Sequence, residues 1–532
     1  MTYLNMTTTR APSIFNDVIG PVMRGPSSSH SAAAVRIGRL VHDLCGGVPD
    51  RVALQYDSLG SLATTHTSQG TDMGLYSGLL SMTPDDPRLV DSPALLEAAG
   101  TEVTIDKPEL GDAHPNTYRI QVERGVESHS VIALSTGGGM IEVTEIDGWP
   151  VSLLGDYAVT LFELDAETDV DLEKIRSTLS ADTRWPMIDL VEQRERNDGR
   201  PLIIISSQEL PPLDVVVPEG TTRVHQLRPV LPVLSRHDLT VPFHHAGELD
   251  ETDALDTRPL SDWALRYEMA RGGIDQAAVF AQARHILDIM RTGVDTGLQG
   301  TEYKDRILGW QSGNFVSRQA AGELLDGGLL NTMIPYVTAL MEAKSAMEVI
   351  VAAPTAGACA TFPGAVLAAI DAVDASGEQA ERALLTGGLI GVFVTNRSSF
   401  AAEVGGCQAE TGAGAAMAAA ALVELAGGSA AQSLSAASQS LQNVLGLICD
   451  PVGNRVEAPC LGRNVTGAAN ALSCANMALA GYDHVIPFDE VLDAHRQVSE
   501  LMARELRCTG LGGLAVTPTA QRIELSLKPG TR

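Results

Sequence analysis

The feature that most constrains the fold of this chain is a long helical run in which small side chains predominate. From Trp263 to about Arg507 apolar residues recur at helical spacing, and the segment 411–427, TGAGAAMAAAALVELAG, consists mostly of Ala and Gly. Aromatic residues are only 4% of the chain, which leaves few large side chains to fill a core. Because small side chains let helix axes approach closely, the sequence predicts a large all-α domain over residues 261–532.

The rest of the chain mixes strand-like and helix-like segments, so the expected fold class is a multidomain α+β protein. Residues 1–150 have the pattern of an α/β domain, in which an early helix precedes strands joined by short turns, as in an antiparallel sheet. Residues 151–235 follow the order strand, helix, strand, strand of a small βαββ unit. Residues 236–260 are acidic and lack periodicity, which is typical of a linker.

The charge of the chain argues against nucleic acid and anionic membrane as partners. Lys and Arg total 37 against 66 for Asp and Glu, giving a formal charge of −29, whereas both partners need clustered positive charge. The apolar stretch 349–370 is interrupted by Pro354 and Pro363, which predicts a broken buried helix rather than a membrane span. Small anionic or zwitterionic substrates remain compatible with this composition, because a few local cations suffice to bind them.

The cysteine usage indicates a reducing compartment. The first 15 residues lack the apolar core of a secretion signal, so we expect a cytoplasmic protein. The number of cysteines is odd, which predicts free thiols or metal ligands rather than a disulfide framework. The seven cysteines are Cys45, Cys359, Cys407, Cys449, Cys460, Cys474 and Cys508.

Three of these cysteines lie in loop-like interruptions of the helical run. Cys407 follows two glycines, Cys449 precedes Asp-Pro, and Cys460 follows Ala-Pro. No two of the three form a CxxC pair, so zinc-finger and ferredoxin spacings do not apply. Loops of this kind can direct several thiolates at one point, but the spacing alone is also compatible with three buried small apolar residues.

Several other polar segments are candidates for substrate binding. In MRGPSSSHSAAA three serines and a histidine come directly before a helix, where hydroxyl and backbone N–H groups form an anion site or a plain helix cap. HPN at 114–116 is compatible with a simple turn, and Lys344 and Thr355 flank a proline-broken helix. Asn396 and Ser398 lie in TNRSSF, shortly before Cys407.

Together these motifs resemble the iron–sulfur L-serine dehydratases. GPSSSHS, the GSL…GTD loop at 60–72, HPN and GGG at 137–139 resemble the β domain of that family. KSAMEVIVAAPTAGAC, AEVGGCQAETG, CDPVGNRVEAPC…RN and GLGGLAV resemble its α domain. The small unit at 151–235 stands where members of the family carry an ACT-like domain. The resemblance covers most of the chain, in the family's order.

The resemblance implies a lyase that needs no pyridoxal phosphate. One [4Fe–4S] cluster would be bound by Cys407, Cys449 and Cys460, and its open iron would assist β-elimination of water from L-serine or a related β-hydroxy amino acid. A homodimer is also implied. The implied catalytic residues are His114, His66 and Lys344. The implied substrate-binding residues are Ser28, Ser29, His30, Thr355, Asn396, Ser398 and Asn464.

Two departures from the family pattern leave the substrate open. Gln69 stands where the family carries a functional histidine in the 60–72 loop, and amide side chains cannot act as general bases. His66, three residues earlier, is the candidate replacement. Many members of the family carry a tail cysteine shortly after GGLA, which can occupy the fourth iron. No cysteine follows GGLAV in this chain, and we expect Cys508, which precedes it, to be structural. The alternatives are therefore a different or larger β-substituted amino acid as substrate, and a non-catalytic amino-acid sensor.

Overall fold

A computed structural model describes residues 10–249 and 254–527. It has the mixed α+β architecture expected from the sequence, with two sheets in the N-terminal half and helices through most of the C-terminal half. The strands are β1 (Val22–Met23), β2 (Arg51–Gln55), β3 (Glu102–Asp106), β4 (Thr117–Arg124), β5 (Glu127–Gly137), β6 (Met140–Ile146), β7 (Trp149–Leu153), β8 (Ala158–Leu164), β9 (Ile188–Glu195), β10 (Pro201–Ser207), β11 (Thr221–Leu227) and β12 (Ile350–Val351).

The first sheet has six strands in the order β3-β2-β4-β5-β6-β7. Its pairs are antiparallel except β2 and β3, which are parallel, so the expectation of a wholly antiparallel sheet was wrong at this edge. Parallel neighbours need a crossover connection, and helices between residues 62 and 98 provide it. The helices of this half are α1 (Ala33–Leu44), α2 (Leu62–Thr65), α3 (Thr71–Leu79), α4 (Ser92–Ala98) and α5 (Leu172–Ala181).

The second sheet has four antiparallel strands in the order β11-β8-β10-β9. Alternation along β10 separates its two faces, because Leu202 and Ile204 join the core of the first sheet whereas Ile203 and Ile205 face a smaller core with Leu179 of α5. The segment contains the expected order of strand, helix, strand and strand, as β8, α5, β9 and β10. Its assignment as an ACT-like domain remains a prediction.

The helical half is built around α14, whose residues from Ala413 to Val423 are all buried. Neighbouring helices approach closely because small residues lie where they touch. At Gly387 of α12, for example, an added Cβ would lie only 3.2 Å from the backbone oxygen of Met417. The helices are α6 (Ala254–Thr257), α7 (Ser261–Gly272), α8 (Gln276–Gln299), α9 (Ser312–Ala320), α10 (Leu330–Ser345), α11 (Thr361–Val373), α12 (Gly377–Arg397), α13 (Ala402–Gly405), α14 (Ala413–Leu425), α15 (Ala430–Gln442), α16 (Cys460–Leu479), α17 (Phe488–Leu501) and α18 (Pro518–Leu527).

Two features join the halves of the molecule. Strand β1 pairs with β12, with Val22 opposite Val351, and this places the serine-rich segment beside the helical half. Residues 236–260 were expected to be a linker, but Phe243 and Leu249 are buried in the helical core. Within the described residues, no helix combines the length and apolarity needed to cross a bilayer.

Candidate active site

A cavity between the N-terminal half and the helical half contains most of the loop cysteines. Two N-terminal segments supply one wall of this cavity, and four segments of the helical half supply the other. We call these the N-terminal wall and the helical wall. The N-terminal wall contains Ser27 and Gln69, and the helical wall contains Gly357, Ala402, Glu403, Glu410, Cys449, Pro451, Val456, Cys460 and Cys508.

Cys407 and Cys449 lie together at the base of the helical wall. Their sulfur atoms and a carboxylate oxygen of Glu410 lie within 4.8 Å of one another. Gly406, with φ of 70°, permits this approach, because a Cβ there would lie 2.8 Å from the backbone oxygen of Leu447. Gly406 thus lets the segment carrying Cys449 pack directly against Cys407.

The electrostatic surroundings favour a thiolate at Cys407. The Cys449 thiol donates a hydrogen bond that lowers the pKa of Cys407, and Arg463 Nη1 donates to Cys407 Sγ over 3.3 Å. The same hydrogen bond raises the pKa of Cys449 well above its ordinary value. Arg463 is itself held by Asp450, with 2.6 Å between Nη2 and Oδ1. A thiolate beside a fixed cation is the form of cysteine that binds metal.

Cys460 is the first residue of α16, and Asn464 follows it one turn later. The Asn464 amide donates to the backbone oxygens of Cys460 and Gly357, over 2.8 and 2.9 Å. Its oxygen accepts hydrogen bonds from the backbone N–H and the hydroxyl of Thr361. Both ends of this predicted substrate-binding side chain are therefore occupied by protein groups, and it fixes the loop at 357–361 to the helix that carries Cys460.

The N-terminal wall contains a hydrogen-bonded serine and histidine. Ser27 Oγ lies 3.0 Å from His30 Nδ1, and His30 Nε2 lies 2.8 Å from Thr65 Oγ1. Since the Thr65 hydroxyl donates to Ser61 O, it accepts from Nε2, and Nδ1 is left to accept from Ser27. Complete burial lowers the pKa of His30 to about 3, so the ring is neutral at physiological pH.

Two carboxyl groups of the helical wall face the same space. Glu403 Oε1 lies 3.5 Å from His30 Nδ1, and the other oxygen, Oε2, has no hydrogen-bond partner among the described residues. Burial raises the pKa of Glu403, and burial also raises the pKa of Glu410 well above its ordinary value. Carboxyl groups with raised pKa values in a cavity are candidates for proton transfer near neutral pH.

The structure places other predicted residues around the cavity rather than on its lining. Lys344 is fully buried, and its Nζ donates to Val456 O, next to the Cys460 loop. Ser28 Oγ accepts from Ala356 N over 3.2 Å, and the Thr355 hydroxyl contacts Glu410. These contacts fix the loop that carries Gly357. Ser29 is also buried.

Four predicted residues have partners of their own outside the lining. His66 Nδ1 lies 2.8 Å from Asp72 Oδ1, and His114 Nδ1 accepts from the N–H of Asn116. Burial lowers the pKa of His114 to about 4. Asn396 donates to His244 O, and Ser398 Oγ lies 2.7 Å from His495 Nδ1. Catalytic or binding roles for these residues remain predictions.

Sequence reasoning missed several residues of the cavity. Glu403 and Glu410 lie four residues before and three residues after Cys407, inside AEVGGCQAETG, so their proximity to that cysteine was available as a signal. Ser27 belongs to the same serine run as Ser28 and Ser29. Cys508 was expected to be structural, yet it packs with Cys407 and Cys449 at the cavity.

Comparisons with known proteins identify the family that the sequence motifs resemble. The family model described as "Serine dehydratase alpha chain" matches residues 207–515. A probable L-serine dehydratase alpha chain of Bacillus subtilis is 38% identical over 288 residues, which are 54% of this chain and 96% of that protein. A probable beta chain from the same organism is 38% identical over 145 residues, 27% of this chain and 65% of that protein.

Similarity to a further relative extends over nearly the whole chain. The L-serine dehydratase TdcG of Escherichia coli is 26% identical over 523 residues, which cover 92% of this chain and 96% of that protein. One part of the chain is similar to a separate alpha chain and another part to a separate beta chain, whereas the relative from Escherichia coli is similar over nearly the whole length. The chain therefore belongs to the serine dehydratase family, with both parts joined in one polypeptide.

Proposed function

We propose that the protein is a [4Fe–4S]-dependent L-serine dehydratase, which eliminates water from L-serine or a close β-hydroxy amino acid. The products are a 2-oxo acid and ammonia. The observation that carries the proposal is that Cys449 and Cys460 line one cavity and that Cys407 lies against Cys449, in a chain whose relatives are named L-serine dehydratases. Thiolates are the usual ligands of iron–sulfur clusters, so the donor set fits this cofactor.

Three cysteines would hold the cluster. When bound, a cluster with three thiolate ligands supplies one open iron, a Lewis acid for the substrate hydroxyl or carboxylate. Arg463 balances the negative charge of the Cys407 thiolate through a 3.3 Å contact. Asn464 keeps Cys460 in register with the loop at 357–361. The buried Lys344 adds a second cation beneath the Cys460 loop.

Elimination also requires removal of the α-proton, and Glu403 is our assignment for the acceptor. Glu403 lines the cavity, its Oε2 is buried, and burial raises its pKa, which makes the carboxylate a stronger base. Neutral His30 accepts a hydrogen bond from Ser27, a cavity residue whose oxygen can still accept a hydrogen bond from the substrate. Once the α-proton and the hydroxide are lost, the enamine product becomes an imine, and water hydrolyses it.

The second candidate function is elimination from a different or larger β-substituted amino acid. Gln69 is the observation that favours it, because this amide lines the cavity where the family pattern has a histidine. An amide can donate and accept hydrogen bonds but does not move protons at neutral pH. We propose a homodimer and a cytoplasmic location for either enzyme.

The first experiment is anaerobic purification, quantification of iron and sulfide, and a 2-oxo-acid assay with a panel of β-hydroxy and β-substituted amino acids. Four irons per chain and pyruvate formation from L-serine would support the main proposal. A complete cluster with turnover of another amino acid would select the second candidate, and Gln69→His should then raise serine turnover. A colourless, iron-free protein would refute both.

A further inference from the structure

The GLGGLAV motif at residues 510–516 has no role in the functional assignment above, yet it packs against the loop that follows Cys449. Gly513 has φ of 60°, and a Cβ at this position would overlap the Asp450 carboxylate. The N–H of Leu514 donates to Asp450 Oδ2 over 2.7 Å. We call residues 510–516 the strap, because Gly513 lets its backbone lie directly on this loop.

Asp450 joins the strap to Arg463. Its Oδ2 accepts from the strap, and its Oδ1 accepts from Arg463 Nη2 over 2.6 Å. Asp450 is 2% exposed, and a buried carboxylate is costly unless it is paired and hydrogen-bonded. Because both of its oxygens have partners, the carboxylate is fixed in orientation and presents Oδ1 to the guanidinium.

Arg463 is held at both of its terminal nitrogens. Nη2 donates to Asp450, while Nη1 donates to Ile448 O over 2.8 Å and lies 3.3 Å from Cys407 Sγ. Since the guanidinium is a planar, rigid fork, fixing Nη2 also fixes the direction of Nη1. Contacts therefore run without a break from the strap, through Asp450 and Arg463, to the sulfur of Cys407.

We propose that Asp450 is a positioning residue which, together with the strap, holds Arg463 against a ligand sulfur and so raises the reduction potential of the cluster. This inference rests on the proposed function. Hydrogen bonds to the sulfurs and the net charge nearby both tune the potential of an iron–sulfur cluster. A cation that donates to Cys407 Sγ draws electron density from the sulfur, which favours the reduced state because that state carries one more negative charge.

The test is a redox titration of the anaerobically reconstituted full-length protein, followed by the electron paramagnetic resonance signal of the reduced cluster. Arg463→Gln removes both the charge and its fixed hydrogen bond. At the wild-type midpoint potential it should lower the ratio of reduced to oxidised cluster by about tenfold, the worth of a hydrogen bond to a charged group. Arg397→Gln is the matched control, because Arg397 pairs with Asp493 of α17, and it should keep the wild-type ratio.

Gly513→Ala tests the strap without changing any charge. Its Cβ would displace the Asp450 carboxylate, so Arg463 should lose its anchor and the ratio should fall as it does in Arg463→Gln. Gly481→Ala is the control for backbone strain, because Gly481 has φ of 83° and an added Cβ would meet no other part of the described chain within 4 Å.

Asp450→Asn separates positioning from charge by the sign of its effect. Removal of a negative charge would by itself favour the reduced cluster and raise the ratio. Loss of the anchor of Arg463 should lower the ratio, and this is the result that we expect. A raised or unchanged ratio would show that Asp450 does not position Arg463.

The failure of this inference is distinguishable from failure of the proposed function. A wild type that binds no cluster overturns the proposed function. A complete cluster whose ratio is unchanged in Arg463→Gln, or falls there but not in Gly513→Ala, overturns this inference alone. A measurement on wild type needs no substitution: with isotopically labelled arginine, pulsed electron paramagnetic resonance of the reduced cluster should detect coupling to an arginine nitrogen, and its absence would refute the contact.

Discussion

The two walls of the cavity are built from different chemistry. The helical wall presents thiols and carboxyl groups, with the Arg463 guanidinium behind Cys407. The N-terminal wall presents the neutral hydroxyl of Ser27 and the neutral amide of Gln69, supported by a neutral His30. Groups that bind metal or move protons therefore belong to one wall, and groups that only form hydrogen bonds belong to the other. Under the proposed function, the helical wall would perform the chemistry and the N-terminal wall would recognise the substrate.

Polar contacts also join the two walls through the 58–72 region. Arg455 Nη1 donates to Ser68 O over 2.6 Å, and Arg504 Nη2 donates to Leu59 O over 2.9 Å. Both arginines come from the helical half, and both acceptors are backbone oxygens of the 58–72 region. The position of Gln69 relative to the cysteines thus depends on contacts made by its backbone neighbours. Substitutions on each wall should consequently have separable effects.

The largest effect is expected for the thiols of the helical wall. Cys407→Ala, Cys449→Ala and Cys460→Ala should each lose iron and activity together, because an open iron contributes several kcal/mol of transition-state stabilisation, more than about a hundredfold in rate. Iron quantification and the 2-oxo-acid assay measure both effects. Cys474→Ala, which removes a buried thiol elsewhere, should keep both. A variant of the three that retains a full cluster would refute its ligand assignment.

A smaller effect is expected for the side chain that braces the helical wall. Asn464→Ala leaves several buried backbone groups and a hydroxyl without partners, at a cost of about 3 kcal/mol in the free energy of unfolding, and it should also lower iron content. Denaturant unfolding measures the first effect. Asn470→Ala, on the same helix but bonded to Ser440, is the control and should retain iron. Equal iron loss in both variants would contradict the bracing role.

A change on the N-terminal wall should affect turnover and spare the cluster. Gln69→Leu removes the amide that faces Cys508, and we expect kcat/KM to fall by about ten- to a hundredfold, the worth of a hydrogen bond to a charged group. Iron content should be unchanged, and Gln193→Leu at an exposed strand position is the control. If Gln69→Leu instead lost iron as the cysteine variants do, the division between the walls would be wrong.

The smallest effect is a pH dependence that originates in the N-terminal wall. The pKa of His30 is about 3 in the folded protein because of burial, against about 6.5 in an unfolded chain. Below pH 6.5 the unfolded chain binds the extra proton and the folded protein does not, so stability present above pH 6.5 is lost as the pH falls. His30 should account for about 1 kcal/mol of loss between pH 7 and pH 5.5.

Unfolding at both pH values, compared with His30→Gln, measures this contribution. The variant should show the smaller pH dependence, whatever its absolute stability. His244→Asn, which removes an exposed histidine, serves as the control and should keep the wild-type difference. An identical pH dependence in His30→Gln and wild type would show that His30 is not held neutral by burial.

The fold was largely predictable because its signals are local. Helical spacing and small residues predicted the helical half, and α14 is buried along most of its length as that pattern requires. Alternation predicted most of the strands. The parallel pairing of β2 and β3 was not predictable, since it depends on a crossover through intervening helices. The burial of Phe243 and Leu249, both in segment 236–260, was not predictable, because isolated apolar residues carry no periodic signal.

The sequence by itself determined the family and predicted Cys407, Cys449 and Cys460 as ligands, because each of these cysteines lies in a short motif of neighbouring residues. Only the tertiary structure decided which groups share the cavity. It brought Cys508 to Cys449 and Gln69 to Cys508, and it placed Glu403 beside His30. These pairs are separated by 59, 439 and 373 residues in the printed sequence, so their contact depends on how helices and strands pack. Packing is a property of the whole chain, and no local pattern encodes it.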